Sequence, residues 1–169
     1  MSATHPLRCY DYVNHPFARV REAVHENASE IFKLATTSAS ERQRDIGVQL
    51  RVRVGALEIG TEVLVQVGPV HDTMSSPLGY EVAEFPLEWT STKNPSLFPH
   101  MKAKLSVYPL SSTETQLELE GTYDPPLGVL GDAIDAVVGK RIAEATVLRF
   151  LQDVAAQLRT RLATPKTPS

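Results

Sequence analysis

Apolar residues recur along this chain with two different periods, and the switches between them divide it into zones. Leu7 to Asn14 has the aromatic and β-branched content of a strand. Asn14-His15-Pro16 then interrupts it, with Asn14 or His15 placed to cap a helix and Pro16 at its first position. Val20, Val24, Ala28, Ile31, Phe32 and Ala35 follow at helical spacing, with an interruption near Glu26-Asn27. The pattern predicts one helix or two short ones, ending in the polar run Thr36 to Ser40. Glu41 to Asp45 is charged and fits neither period.

From Gly47 to Asp124 the period becomes two. Val48, Leu50, Val52 and Val54 alternate with polar residues; so do Val63, Val65 and Val67, then Phe85, Leu87 and Trp89. Met101, Ala103, Leu105 and Val107 repeat the pattern, and Leu117 and Leu119 complete it. Alternation of this kind marks strands with one buried face. Turn signals at Gly55–Gly60, Gly68–Gly79, Asn94-Pro95-Ser96 and Leu110–Thr113 are short enough to make neighbours antiparallel. Lys102 and Lys104 on one polar face, with Glu118 and Glu120 on the next, predict a cross-strand charge match worth a few tenths of a kcal/mol per pair.

The last zone is the longest. Pro125-Pro126-Leu127-Gly128-Val129-Leu130-Gly131 closes the strands, Asp132 is a candidate N-cap, and no proline follows until Pro165. A helix of about 30 residues, roughly 45 Å, fits there. Ile134, Val137, Val138, Ile142, Ala145 and Leu148 share one face, whereas Val147, Phe150, Leu151, Val154, Ala155, Leu158 and Leu162 occupy a face rotated from it. A rotating stripe is what a curved partner would require. The half beyond Leu148 is expected to anchor the core, and the half around Val138 and Arg141 to face a space left by the sheet's curl.

The element order and the entry Tyr123-Asp124-Pro125-Pro126-Leu127-Gly128-Val129-Leu130-Gly131, followed by Gly139-Lys140-Arg141-Ile142-Ala143-Glu144-Ala145 and Phe150-Leu151, resemble the START/Bet v 1-like superfamily. That superfamily, also called SRPBCC, includes polyketide cyclase/dehydrase and lipid-transport members. The resemblance spans Leu7 to Leu162. It implies an α+β helix-grip fold: a curved antiparallel sheet of about six strands around a long C-terminal helix, with one or two short helices after the first strand. It also implies a largely apolar cavity between sheet and helix that takes lipids, polyketides or similar molecules. The superfamily shares no catalytic residue set, so none is carried over. Residues 1–163 are expected to form one such domain and 164–169, rich in proline, a disordered tail.

Composition narrows the function classes. The 169 residues are 42% hydrophobic and 22% charged, with a net charge of −3, so no basic field is available for nucleic acid. A single Cys9 excludes an intrachain disulfide and a cysteine metal cluster, and the histidines lack ligand spacing, so neither metal nor cofactor is expected. Without an apolar leader or membrane-length run, the expectation is a cytoplasmic protein with no integral membrane association.

Candidate ligand-binding residues are Phe85, Trp89, Met101, Leu105, Tyr123, Val138 and Arg141. Arg141 lies within an apolar helical face, where its forked donors would hold an anionic ligand head, or form an ion pair with Glu144 or a sheet carboxylate. Trp89 sits with Phe85 and Leu87 on one strand face, as a pocket indole or as plain core. Tyr12, Tyr80, Tyr108 and Tyr123 offer hydroxyls, and Tyr123 is nearest the helix entry. His100 needs a neighbouring carboxylate to do acid–base work; His71-Asp72 reads as a loop feature. No catalytic residue is assigned. The sequence favours a carrier or binding protein for a hydrophobic small molecule. A cyclase or dehydratase that uses Arg141 with a tyrosine or His100, and an interaction module with a vestigial cavity, are the alternatives.

Overall fold

The computed structural model describes residues 4–46, 52–54, 57–59, 63–91, 100–124 and 136–163. Its elements are β1 (His5–Val13), α1 (Phe17–Ile46), β2 (Val52–Val54), β3 (Leu57–Ile59), β4 (Val63–Val67), β5 (His71–Met74), β6 (Glu81–Ser91), β7 (His100–Pro109), β8 (Thr115–Asp124) and α2 (Ala136–Ala163). Six strands form one antiparallel sheet in the order β1-β8-β7-β6-β4, with β5 also on β6, and β2 and β3 form a separate two-stranded ribbon. An open, curved sheet with a long C-terminal helix is the helix-grip arrangement.

Alternation along each strand decides which face is inside. On β8, Leu117, Leu119 and Tyr123 are buried; on β7, Met101, Leu105 and Val107; on β6, Ala83, Phe85 and Leu87. Strand register aligns these residues into rows across the sheet. Cys9, Leu119, Leu105 and Phe85 make one row, and His5, Tyr123, Met101 and Trp89 another. Between them runs Leu7, Gly121, Ala103, Leu87 and Val67. Its middle, Gly121 opposite Ala103, carries a single methyl group between the two residues.

Pro16 immediately precedes α1, in the cap position expected for Asn14 or His15, and its carbonyl accepts from the Arg19 and Val20 amides at 3.0 and 3.2 Å. Helix α1 is kinked at Asn27 (φ −135°, ψ 21°), where the sequence placed an interruption. The helix runs past Thr36–Ser40, its expected end, to Ile46. Those residues are polar but include no glycine or proline before Gly47, so nothing in the backbone stops it. Phe32 joins the three layers: its ring meets Phe85 edge-on at 5.4 Å and stacks on Phe150 of α2 at 6.2 Å.

On α2, Val147, Leu151, Val154, Ala155 and Leu158 are fully buried, so this half anchors the core as its spacing requires. Leu148, placed by the wheel on the adjoining apolar face, is 40% exposed. Polar contacts fix the same half. Arg159 donates to the Tyr12 carbonyl and lies 3.3 Å from Asp11, Arg161 meets Glu30 of α1 at 3.0 Å, and Arg19 donates to the Leu162 carbonyl at 3.1 Å. Asp132, Ile134, the Pro125–Gly131 entry, the Asn94-Pro95-Ser96 turn, Val48, Leu50 and the 164–169 tail lie outside the described residues.

Two stretches read as turns contain strands. Leu57–Ile59 pairs with Val52–Val54 inside the Gly55–Gly60 stretch. His71–Met74 pairs with β6 inside Gly68–Gly79. All four residues of β5 are exposed, so the strand shows no alternation for a sequence reading to detect. His71-Asp72 is therefore strand, not loop. Asp72 ties β5 to α1, contacting Arg21 at 2.8 Å and His25 at 3.0 Å.

Two outcomes test this packing. Phe32→Ala is expected to cost about 3–5 kcal/mol in chemical denaturation, as for other buried phenylalanine truncations. Hydrogen bonds from Arg21 and then His25 hold the Asp72 carboxyl below its ordinary value. Its stabilising contribution is thus present above the unfolded carboxylate range and lost as pH falls through the folded value. Asp72→Asn should flatten the acid limb of the stability–pH curve relative to wild type; superimposable acid limbs would contradict the link.

Candidate functional site

The site is built on the small-residue row. A Cβ added to Gly121 would lie 2.5 Å from the Lys102 carbonyl oxygen, 2.7 Å from Ala103 Cβ and 2.8 Å from Ala103 Cα. Facing Cβ atoms in an ordinary antiparallel pair stay about 4.5–5.5 Å apart. The two strands therefore approach far more closely here than side chains permit, and the glycine is what allows it. Neither Gly121 nor Ala103 projects enough side chain to fill the inner face, and both stay partly accessible while their row neighbours Leu7 and Leu87 are buried.

A recess of about 540 Å³ lies at the β1 end of this row, lined by Pro6, Leu7, Arg8, Glu120, Gly121, Thr122 and, from α2, Glu144. Helix α2 packs over β1 and more lightly over β8, so Glu144 roofs the recess. A second recess of about 410 Å³ is centred on Val67, Leu87 and Ala103 at the other end of the row.

Electrostatics give the first recess a polar side. Burial above all, and then the Glu144 carboxylate, raise the Tyr123 phenol above its ordinary value. Tyr123 therefore keeps its proton at neutral pH and can donate. His5 stacks on its ring at 5.3 Å. Arg8 pairs with Glu118 at 2.7 Å and Glu120 at 3.5 Å, which offsets the acidic lining nearest it. Cys9, beside this row, is held as a thiol: burial first and Asp11 second push it up to about 11.

Four of the sequence-derived residues come together around the row. Met101 and Tyr123 are cross-strand neighbours on one side of it, and Leu105 and Phe85 on the other, all at most 1% exposed. The backbone of Trp89 stands opposite Met101. Val138 and Arg141 lie on α2 upstream of Glu144, and the side chains of Trp89, Val138 and Arg141 lie outside the described residues. Sequence reasoning did not single out Gly121 or Ala103 as a site. The signal was available, a glycine within an alternating strand, but its alignment with Ala103 needed the register.

Other candidates are placed elsewhere. The His100 ring N–H donates to the Glu88 carboxylate at 2.7 Å on the outer face. Tyr108 also lies on that face, donating to Glu118 at 2.8 Å and stacking on Tyr80 at 5.5 Å. Lys104 is opposite Glu120 in register, yet its ammonium meets Glu84 at 2.8 Å, while Glu118 and Glu120 receive Arg8. The outer charges do pair, across different strands from those expected. Among the described residues no group of three metal-ligating side chains occurs.

No family model matches the chain, and no curated protein matches it. Among solved structures, it is similar to a START superfamily protein from Mycobacterium smegmatis (9% identity, TM-score 0.44, covering 93% of this chain and 99% of that one). It is also similar to the Zhui aromatase/cyclase from Streptomyces sp. R1128 (14%, 0.44, 95% and 96%). Norcoclaurine synthase from Thalictrum flavum, in complex with dopamine and hydroxybenzaldehyde, is a third (10%, 0.47, 98% and 91%). Identities this low leave residue roles to be argued from this chain's own side chains.

Replacing Glu144 by Gln removes the negative charge acting on Tyr123. The phenol should then titrate lower than in wild type, yet still above an ordinary tyrosine because burial remains. Ultraviolet difference titration, with Tyr123→Phe to assign the signal, reads this directly. An unshifted Tyr123 would show that the two groups do not face each other.

Proposed function

We propose that this protein binds or carries a hydrophobic small molecule in the space between the sheet and α2. The observation carrying this reading is the partly open Gly121–Ala103 pair, set between two rows of buried apolar side chains and beside a recess of about 540 Å³. Ligand sites typically occupy about 300–1,000 Å³ and combine apolar walls with a few polar groups. Leu7, Gly121 and Glu144 line the recess itself. The fully buried Phe85, Leu105, Met101 and Tyr123 are proposed as the walls that part around a ligand, with Trp89, Val138 and Arg141 as the proposed remainder on β6 and α2.

Tyr123 supports a second reading. A buried phenol beside the Gly121 row can donate a hydrogen bond to an enolate or carbonyl oxygen, as cyclase or dehydratase chemistry needs, while its raised pKa disfavours outright transfer of the proton. The two readings differ in what becomes of the ligand.

Ala103→Phe fills the row from the β7 side. Native mass spectrometry and solvent extraction of the purified protein should recover an apolar compound from wild type. About tenfold less should come from Ala103→Phe if the added ring takes the ligand's volume. A wild-type protein that retains no compound and takes up none of a panel of fatty acids and planar aromatics would refute carriage. A compound recovered chemically altered would favour the enzyme.

A further inference from the structure

Three turns meet at the end of the sheet where β1 stops, and strand register places them side by side. Val13 is opposite Thr115, Thr115 opposite Pro109, and Met74 opposite Glu81. The Thr115 hydroxyl donates to the His15 carbonyl at 2.8 Å, joining the first turn to the β7–β8 turn. The Tyr80–Tyr108 stack joins the β5–β6 turn to the same group.

These turns are ordered by their own backbone. Ser75 donates to the Tyr80 carbonyl at 2.8 Å and Gly79 to the Ser75 carbonyl at 2.7 Å, with Gly79 at φ +71°, which an L side chain rarely adopts. Leu110 and Ser111 both donate to the Glu114 carbonyl, at 2.9 and 3.1 Å. What projects from this scaffold is apolar: Leu78 is 73% exposed, Met74 58% and Leu110 52%.

Their surroundings carry little charge. Although 22% of the chain is Asp, Glu, Lys or Arg, none of these falls in residues 14–17 or 74–80, and Glu114 is the one such residue in the 110–114 turn. Glu81, opposite Met74, is engaged by Arg21 of α1, which Asp72 also holds. Leu78, Met74 and Leu110 can therefore leave water at little cost in stranded charge.

We propose that this three-turn tip docks on the surface of a lipid bilayer, inserting Leu78, Met74 and Leu110 at the acyl boundary. The three side chains stand exposed on two neighbouring turns, so they fit a yielding apolar medium. Serine and threonine hydroxyls at 75, 76, 111, 112 and 113 can meet headgroups. The Tyr80–Tyr108 stack sits one layer behind, where tyrosine rings concentrate at membrane interfaces. A tip with no lysine or arginine and Glu114 as its one acidic turn residue binds through buried apolar area, so zwitterionic lipid suffices and salt has little influence. This docking does not rest on the small-molecule reading, and among the described residues no helix is long and apolar enough to cross a membrane.

The test is flotation of the full chain with phosphatidylcholine vesicles at low and high salt. Wild type should float with the vesicles equally at both. The Leu78→Asp/Leu110→Asp pair should partition about tenfold less or weaker still, having lost two apolar anchors. An unfolding midpoint near that of wild type will show that the pair still folds, and Leu78→Ser alone should give an intermediate loss. Wild type that stays in the soluble fraction, or a paired variant that floats as well as wild type, would overturn the proposal. So would a concentration-dependent dimer in light scattering that the pair abolishes, which would assign the tip to a second copy of the chain.

Discussion

A missing side chain sets the shape of this protein. At Gly121 the β7 and β8 backbones close to a distance that no Cβ could share with Ala103 and the Lys102 carbonyl. The same absence leaves the inner face thinly covered along that line. Any larger residue at 121 would push the strands apart and intrude on the recess that Gly121 lines.

The two halves of α2 meet that inner face in different ways. The second half of α2 is held tightly, by its buried stripe, by the Phe150–Phe32–Phe85 sequence of rings, and by Arg159 and Arg161 reaching to β1 and α1. Nearer the other end of the helix, Glu144 lines the recess with β1 and β8 and acts on Tyr123 through its charge.

Much of this was legible from residue types alone, where a face is buried. The inner rows of β6, β7 and β8, the kink at Asn27 and the anchoring half of α2 each leave a periodic trace, because burial selects apolar residues at fixed intervals. Strand β5 left none, being exposed on both faces, and α1 overran its expected end because polarity alone does not break a helix. Phe85, Leu105, Met101 and Tyr123 could be placed on the inner face from alternation. That they flank a Gly121–Ala103 pair could not, since alternation fixes a residue's face but not its cross-strand partner. The outer ion pairs show the same limit: Lys104 finds Glu84 and not Glu120 because two neighbours compete and only geometry chooses.

The central claim is that an apolar ligand lies on the inner face against Ala103 and Leu7. Methyl-labelled NMR with a saturating fatty acid or planar aromatic probe reads that position most directly. Intermolecular contacts from the probe to the Ala103 and Leu7 methyls, with those of the outward-facing Leu110 untouched, are the predicted result. Contacts confined to Leu110 and Leu78, or an Ala103 methyl unmoved while probe is bound, would contradict it.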